Sequence, residues 1–192
     1  MAAKSGERKL QILQTVAGML EQPKSEKITT AALAARLELS EAALYRHFAS
    51  KAQIFEGLIE FIEQTVFGLI NKITQDEKSG VKQIEAIVVM LLNFAQKNCG
   101  MTRVLIGDAL VNEDERLQKR INQLLDRIET TLKQSLRMAA TQGELGESVD
   151  VGAHANLLLC YVIGRWTQFA KSGFTREPMV QWPMQLAILL HK

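Results

Sequence analysis

The stretch Ile28-Thr29-Thr30-Ala31-Ala32-Leu33-Ala34-Ala35-Arg36-Leu37-Glu38-Leu39-Ser40-Glu41-Ala42-Ala43-Leu44-Tyr45-Arg46-His47-Phe48-Ala49-Ser50-Lys51 decides how this chain is read. Three helix starts follow one another within it. Thr29 is an N-cap residue, flanked by Ile28 and, four positions on, Leu33, an apolar pair that clasps the cap. Ser40 repeats the arrangement with Leu39 and Leu44. Ser50 repeats it with Ala49 and Ile54, and adds Gln53 to reach back to the backbone N–H of Ser50. Starts this close leave room for two helices of about two turns each before a longer one. Two short helices joined tightly at Glu38-Leu39 are a helix-turn-helix, whose second helix enters the major groove of DNA. Where such a turn needs left-handed backbone, Glu38 costs about 1 kcal/mol relative to glycine, to be offset by the flanking Leu37 and Leu39.

The second short helix has the composition of a DNA reader. Leu44 and Phe48 lie four apart and face inward, which leaves Glu41, Ala42, Tyr45 and Arg46 outward. Small Ala42 and Ala43 let the backbone approach base edges, Arg46 suits guanine or phosphate, and Tyr45 and His47 can donate to phosphate oxygens. Lys51 falls in the first turn of the next helix, where the helix dipole disfavours a cation unless an anion is close; a DNA phosphate would relieve that conflict. The candidate DNA-binding residues are therefore Thr29, Thr30, Ser40, Glu41, Ala42, Ala43, Tyr45, Arg46, His47 and Lys51. Taken singly, Tyr45 and His47 would be ordinary half-buried side chains and Arg46 a solvated one; their clustering on one capped element favours DNA.

Composition sets the wider frame. Of 192 residues, 47% are hydrophobic and 23% charged, with a net charge of +2, as in one ordinary domain or a small module fused to a larger one. Residues 1–51 carry eight Lys or Arg against five acids, and the rest carries fifteen against sixteen, so the positive excess sits with the DNA reader. Even the longest apolar runs, such as Ala86 to Leu92, are far short of the ~20 residues that span a bilayer. Met1 to Lys9 lacks the apolar core of a secretory signal, and Cys99 and Cys160 have no metal or disulfide spacing, so a cytoplasmic chain without membrane contact is expected. His47, His154 and His191 are isolated, and neither a phosphate-cradling glycine loop nor a metal motif occurs; no enzyme, metal or cofactor is expected.

The remaining residues predict an all-α fold. The only prolines are Pro23, Pro178 and Pro183, apolar residues recur at three- and four-residue intervals, and hairpin signals are absent. A long helix from Ser50 carries Ile54 through Ile73, a second Ile84 through Ala95, and a short one Met101 to Leu110. Asn112 with Glu115 reads as a capping pair for a further helix with a stripe from Leu117 to Leu136. After a loop over 143–148, the segment Ala153 to Phe169 is apolar around most of its circumference, and Pro183 marks the first turn or a kink of a last helix. This apolar pair of helices predicts a homodimer, with Leu157, Tyr161, Gly164, Trp166, Trp182 and Leu186 at the interface. Two copies would place two recognition helices on a two-fold-related DNA site. The expected division is a DNA-binding domain over 1–50 and a dimerisation and partner-binding domain over 51–192.

Ile28 to Ala35 followed by Leu39 to Lys51, with the core Leu44-Tyr45-x-His47-Phe48-x-x-Lys51, resembles the DNA-binding signature of the TetR family. The resemblance implies an N-terminal helix-turn-helix and a helical C-terminal body, in many relatives a ligand-responsive transcriptional repressor. Glu56 to Glu63 and Arg116 to Leu124 are similar, more narrowly, to a nucleoid-associated branch of that family. That similarity implies a nucleoid occlusion factor: a dimer on palindromic double-stranded DNA that antagonises the tubulin-like division protein FtsZ and prevents septum formation over the chromosome. It places FtsZ on Phe61, Met90, Asn93, Lys97 and Asn98, although relatives often have a basic residue where this chain has Leu69. Met90, Asn93 and Lys97 do share one helical face, with a polar and cationic edge suited to an acidic peptide.

Overall fold

The computed structural model describes residues 2–22, 28–146 and 149–190, and these are helical with no strand among them. The helices are α1 (Ala2–Leu20), α2 (Thr30–Arg36), α3 (Glu41–Tyr45), α4 (Lys51–Asp76), α5 (Gly80–Lys97), α6 (Cys99–Leu105), α7 (Glu115–Thr141), α8 (Val151–Lys171) and α9 (Trp182–Leu189), with a 3-10 turn at Asp108–Leu110. Among the described residues no helix is long and apolar enough to cross a membrane. Pro23, Lys24, Lys27 and His191 lie outside the described residues. The chain forms two compact units, Met1–Ile62 with Asn98–Ile121 and Glu63–Lys97 with Asn122–Lys192, so neither follows the division at residue 50.

In the first unit the expected caps form. Thr29 is extended and its Oγ1 accepts from Ala32 N–H at 3.1 Å; Ser40 Oγ accepts from Ala43 N–H at 3.1 Å. Ser50 Oγ accepts from Gln53 N–H at 3.2 Å, but the Gln53 side chain reaches one residue further back than expected, to Ala49 N–H at 2.9 Å. Glu38 is left-handed, with φ 55. Its cost is met locally: Leu39 N–H donates to Ala34 C=O at 2.9 Å and Glu38 N–H to Ala35 C=O at 3.1 Å, the double closure that satisfies the last carbonyls of a helix. Leu37 is buried in support. The recognition helix is shorter than expected, ending at Tyr45, with Arg46 and His47 in a turn.

This unit also takes in α6. Gly100 sits so close to α1 that an added Cβ would collide with the Ala17 carbonyl oxygen. At the start of α7 the expected pair Asn112–Glu115 does not form. Asn112 is left-handed, φ 64, and Asp114 caps instead: Asp114 Oδ1 accepts from Arg116 N–H at 3.0 Å and the Arg116 guanidinium closes on the same carboxylate at 2.7 Å. That hydrogen bonding holds the Asp114 carboxyl down at about 2.

In the second unit α5 packs on α8, and the Trp166 indole N–H donates to Leu91 C=O at 3.0 Å in a wholly buried position. Buried Gln83 donates to Glu77 C=O at 2.8 Å and accepts from the Ser135 hydroxyl at 2.8 Å, tying the α4–α5 connection to α7. The loop after α7 caps α5: Gln142 Oε1 accepts from Gly80 N–H and Glu144 from Val81 N–H, each at 2.9 Å. Asp150 caps α8 through Gly152 and Ala153 N–H at 2.8 and 2.9 Å, and these bonds hold its carboxyl below the usual aspartate range, that to Ala153 most.

Two stability measurements follow from these contacts. Gly100→Ala forces α1 and α6 apart and is expected to cost about 1–3 kcal/mol, read from urea unfolding; wild-type stability would contradict the packing. A group with a depressed folded pKa stabilises above its unfolded value and stops doing so as pH falls through the folded one. Asp150→Ala should therefore melt lower than the wild type at pH 7, with the gap fading below about pH 3.9. A gap unchanged at pH 2 would remove the charge from the argument.

Candidate nucleic-acid interface

The helix-turn-helix sits on an apolar floor. Leu44 is fully buried and Phe48 nearly so, its ring beneath Lys9 Nζ at 5.6 Å, and together they turn the opposite face of α3 to solvent. Ser40, Glu41, Ala42 and Arg46 are exposed, Tyr45 is 45% exposed, and Ala43 and His47 are half-buried. The expected outward set is therefore outward. Thr29 and Ser40 spend their oxygens on backbone caps, which orients their hydroxyl groups at the two helix starts.

A small polar network spans the surface between α2 and α3. Thr30 Oγ1 donates to Glu41 Oε2 at 2.7 Å and in turn accepts from the Tyr45 hydroxyl at 3.4 Å. It fixes the rotamers of two recognition-helix side chains before any ligand arrives, which lowers the ordering cost of contact. The i, i+4 spacing of Glu41 and Tyr45 contained half of this signal; Thr30, eleven residues away on another helix, did not.

Lys51 is corrected in one respect. Its dipole conflict is already relieved inside the chain, because Nζ forms an ion pair with Glu113 and lies 5.7 Å over the Phe55 ring. A long-range pairing of this kind leaves no local mark in the sequence.

The residues expected to meet a protein partner are disposed as follows. Phe61 on α4 is half-buried; on α5, Met90 and Asn93 are half-buried and Lys97, the last residue, is exposed; Asn98 is half-buried at the α5–α6 junction. A groove of about 350 Å³ runs between α4 and α5, with Leu69, Ile73, Ala86 and Met90 as its apolar lining and Lys72, Asp76 and Glu77 at its polar edge. Leu69 is 43% exposed and adds an apolar wall to the groove.

The expected dimer residues divide into two groups. Trp166 and Trp182 are interior to the protomer, the first bonded to Leu91 C=O and the second 5.6 Å from the Tyr161 ring. They are corrected to core residues: a side chain already covered within one chain has no face left for another. Tyr161 is half-buried, its hydroxyl donating to Gln185 Oε1 at 2.7 Å, and Leu186 is half-buried too. Leu157, at 50% exposed, and Gly164 are outward. Ala153 and Cys160, also exposed, complete their stripe on α8, and on α9 Met184 and Ile188 are more than 70% exposed. The spacing 153-157-160-164 carried this signal, obscured by the apolar residues around the rest of α8.

Among the described residues no cluster of His, Cys, Asp and Glu is arranged to hold a metal. Comparison with known proteins accords with the interface. Residues 25–58 match the family described as bacterial regulatory proteins, tetR family, and residues 78–192 match the tetracyclin repressor-like C-terminal domain of the SlmA-like type. The nucleoid occlusion factor SlmA of Alteromonas mediterranea is 50% identical over 186 residues, covering 97% of this chain and 95% of that protein. The factor of the same name from Marinomonas sp. is 48% identical over 189 residues, covering 98% and 96%. A solved TetR transcription regulator from Haloarcula marismortui shares the fold with a TM-score of 0.81 at 16% identity, covering 97% of each chain. A capped helix-turn-helix ahead of a helical body, matched by family models and by half-identical relatives along nearly its whole length, places this chain in the TetR family of DNA-binding regulators, which are not enzymes, and makes it similar to the nucleoid occlusion factors named SlmA.

Proposed function

We propose that this protein binds palindromic double-stranded DNA as a homodimer and, when bound, antagonises FtsZ assembly, so that septa do not form over the nucleoid. The observation that carries the reading is the outward face of the recognition element: Ala42 and Tyr45 stand exposed on capped α3 and Arg46 in the turn that ends it, over an inner face locked by Leu44 and Phe48. A helix so short offers few base contacts, and specificity comes from two copies about one helical turn of DNA apart. The apolar stripe Ala153, Leu157, Cys160 and Gly164, with Met184 and Ile188, supports pairing of α8 and α9 with their counterparts, since these residues stay exposed among the described residues. In this reading residues 1–50 serve DNA and 51–192 serve dimerisation and the partner.

For FtsZ the proposed residues are Phe61, Met90, Asn93, Lys97 and Asn98. An extended acidic peptide has what α5 asks for: apolar side chains for the groove beside Met90, and carboxylates for Lys97, which already stands at a helix C-terminus where positive charge is favoured. Relatives at about half identity that are named nucleoid occlusion factors support this over a metabolite-released repressor. Action at the nucleoid follows from DNA binding by a chain in which no described helix can cross a membrane.

The test is FtsZ polymer turnover, followed by light scattering with and without a palindromic duplex; faster disassembly only with the duplex is expected. No response, together with a metabolite that releases DNA, would make the protein a ligand-responsive repressor instead. Arg46→Ala should weaken specific binding about 5- to 100-fold and flatten the plot of log K against log salt by about 0.9. A fully retained slope would take Arg46 off the phosphates. Lys97→Asp should keep DNA affinity and lose the effect on FtsZ; persisting antagonism would move the partner site elsewhere.

A further inference from the structure

Lys51 and Glu113 are 62 residues apart in sequence and paired in space, and their placement does more than neutralise two charges. Lys51 is the first residue of α4, directly after the recognition element, where a DNA phosphate would find both an ammonium and the positive end of a helix. Its side chain is 23% exposed and that of Glu113 13%, so the pair is partly shielded from water and is screened less by salt than a surface pair. Glu113 belongs to the connection between α6 and α7, in which Gly107 and Asn112 are both left-handed and Asp114 begins the cap of α7.

We propose that Glu113 is an internal stand-in for a DNA phosphate: it holds Lys51 in the free protein, and DNA binding exchanges the carboxylate for the phosphate and releases the connection that leads into α7. The inference rests on the DNA-binding reading above. Exchange is favoured over sharing because a phosphate and a carboxylate drawn to one ammonium repel each other at a separation of a few ångströms, and the phosphate is held additionally by the dipole of α4 and by its neighbours on the duplex. Glu113, once its cation is taken, is a shielded carboxylate without a counter-charge, and it regains solvation by moving outward with its connection. The protein thus acquires a threshold against weak, non-specific DNA and a mechanical link from the phosphate to the start of α7. Glu113 is a positioning residue here, since it acts on DNA through Lys51.

The experiment titrates full-length protein against a palindromic duplex and a scrambled one over a range of salt, with wild type, Glu113→Gln, Glu113→Ala, Lys51→Met and the double variant Lys51→Met with Glu113→Gln. Glu113→Gln and Glu113→Ala are each expected to bind the scrambled duplex about tenfold more tightly near 0.15 M salt, and to steepen the salt slope by about 0.9, one further phosphate neutralised. In the Lys51→Met background the Glu113 change should do nothing, the signature of direct coupling. A merely structural role would lower the melting temperature without steepening the slope. Amide hydrogen exchange over 106–114 should quicken when the palindrome is added to wild type, and be quick already in Glu113→Gln without DNA. Weaker binding by both Glu113 variants, or an unchanged slope with unchanged exchange, overturns the inference while leaving the DNA reading standing. Equal retention of both duplexes by the wild type overturns the DNA reading itself, and the inference with it.

Discussion

The close approach of α6 to α1 at Gly100 and Ala17 is the constraint on which the DNA-facing half depends. About fifty residues in three helices bury too little apolar surface to be comfortably stable alone. Here α1, α2 and α3 are completed by residues from far along the chain, and the fully buried Ile12, Val16 and Val104 belong to one unit. Because the contact is backbone against backbone, it has almost no slack: α6 cannot move as a side chain would, by changing rotamer. Anything that displaces residues 98–121 is felt by the helices that carry the DNA reader.

On that floor, the surface is organised by charge and caps. The helix starts at Thr29, Ser40 and Ser50 are each closed by their own hydroxyl, and the turn at Glu38 by backbone alone, so α3 is held without calling on the residues it presents outward. Those residues are then partly pre-set by Thr30, Glu41 and Tyr45 among themselves. The ion pair of Lys51 with Glu113 continues the same theme at the edge of the interface, with an internal carboxylate where an external phosphate would serve. The body is organised differently, through buried polar ties such as Trp166 to Leu91 and Gln83 to Ser135, which specify which helices meet.

Much of this was legible beforehand because it is local. Caps lie within three residues of the N–H groups they satisfy, helical periodicity repeats every three or four, and prolines punctuate, so the order of helices and the outward set on α3 could be read along the chain. Local signals mislead where two candidates compete or where a partner lies far away. Asn112 and Asp114 were both able to cap α7, and the left-handed backbone at Asn112 together with the Arg116 guanidinium settled it for Asp114. Trp166 and Trp182 look like interface anchors by residue type, yet each fills a site inside its own protomer.

The amino-acid order by itself determined the all-helical class and the position of the helix-turn-helix, since each follows from interactions within about one helical turn of the residue concerned; the left-handed backbone at Glu38 is decided by the folded turn. Tertiary structure alone decided that residues 98–121 complete the DNA-facing unit, that Glu113 rather than solvent faces Lys51, and which apolar residues of α8 and α9 remain uncovered. The physical reason is the same in each case. Burial and pairing are properties of what surrounds a side chain, and in a folded chain those surroundings are drawn from segments that the sequence holds dozens of residues apart.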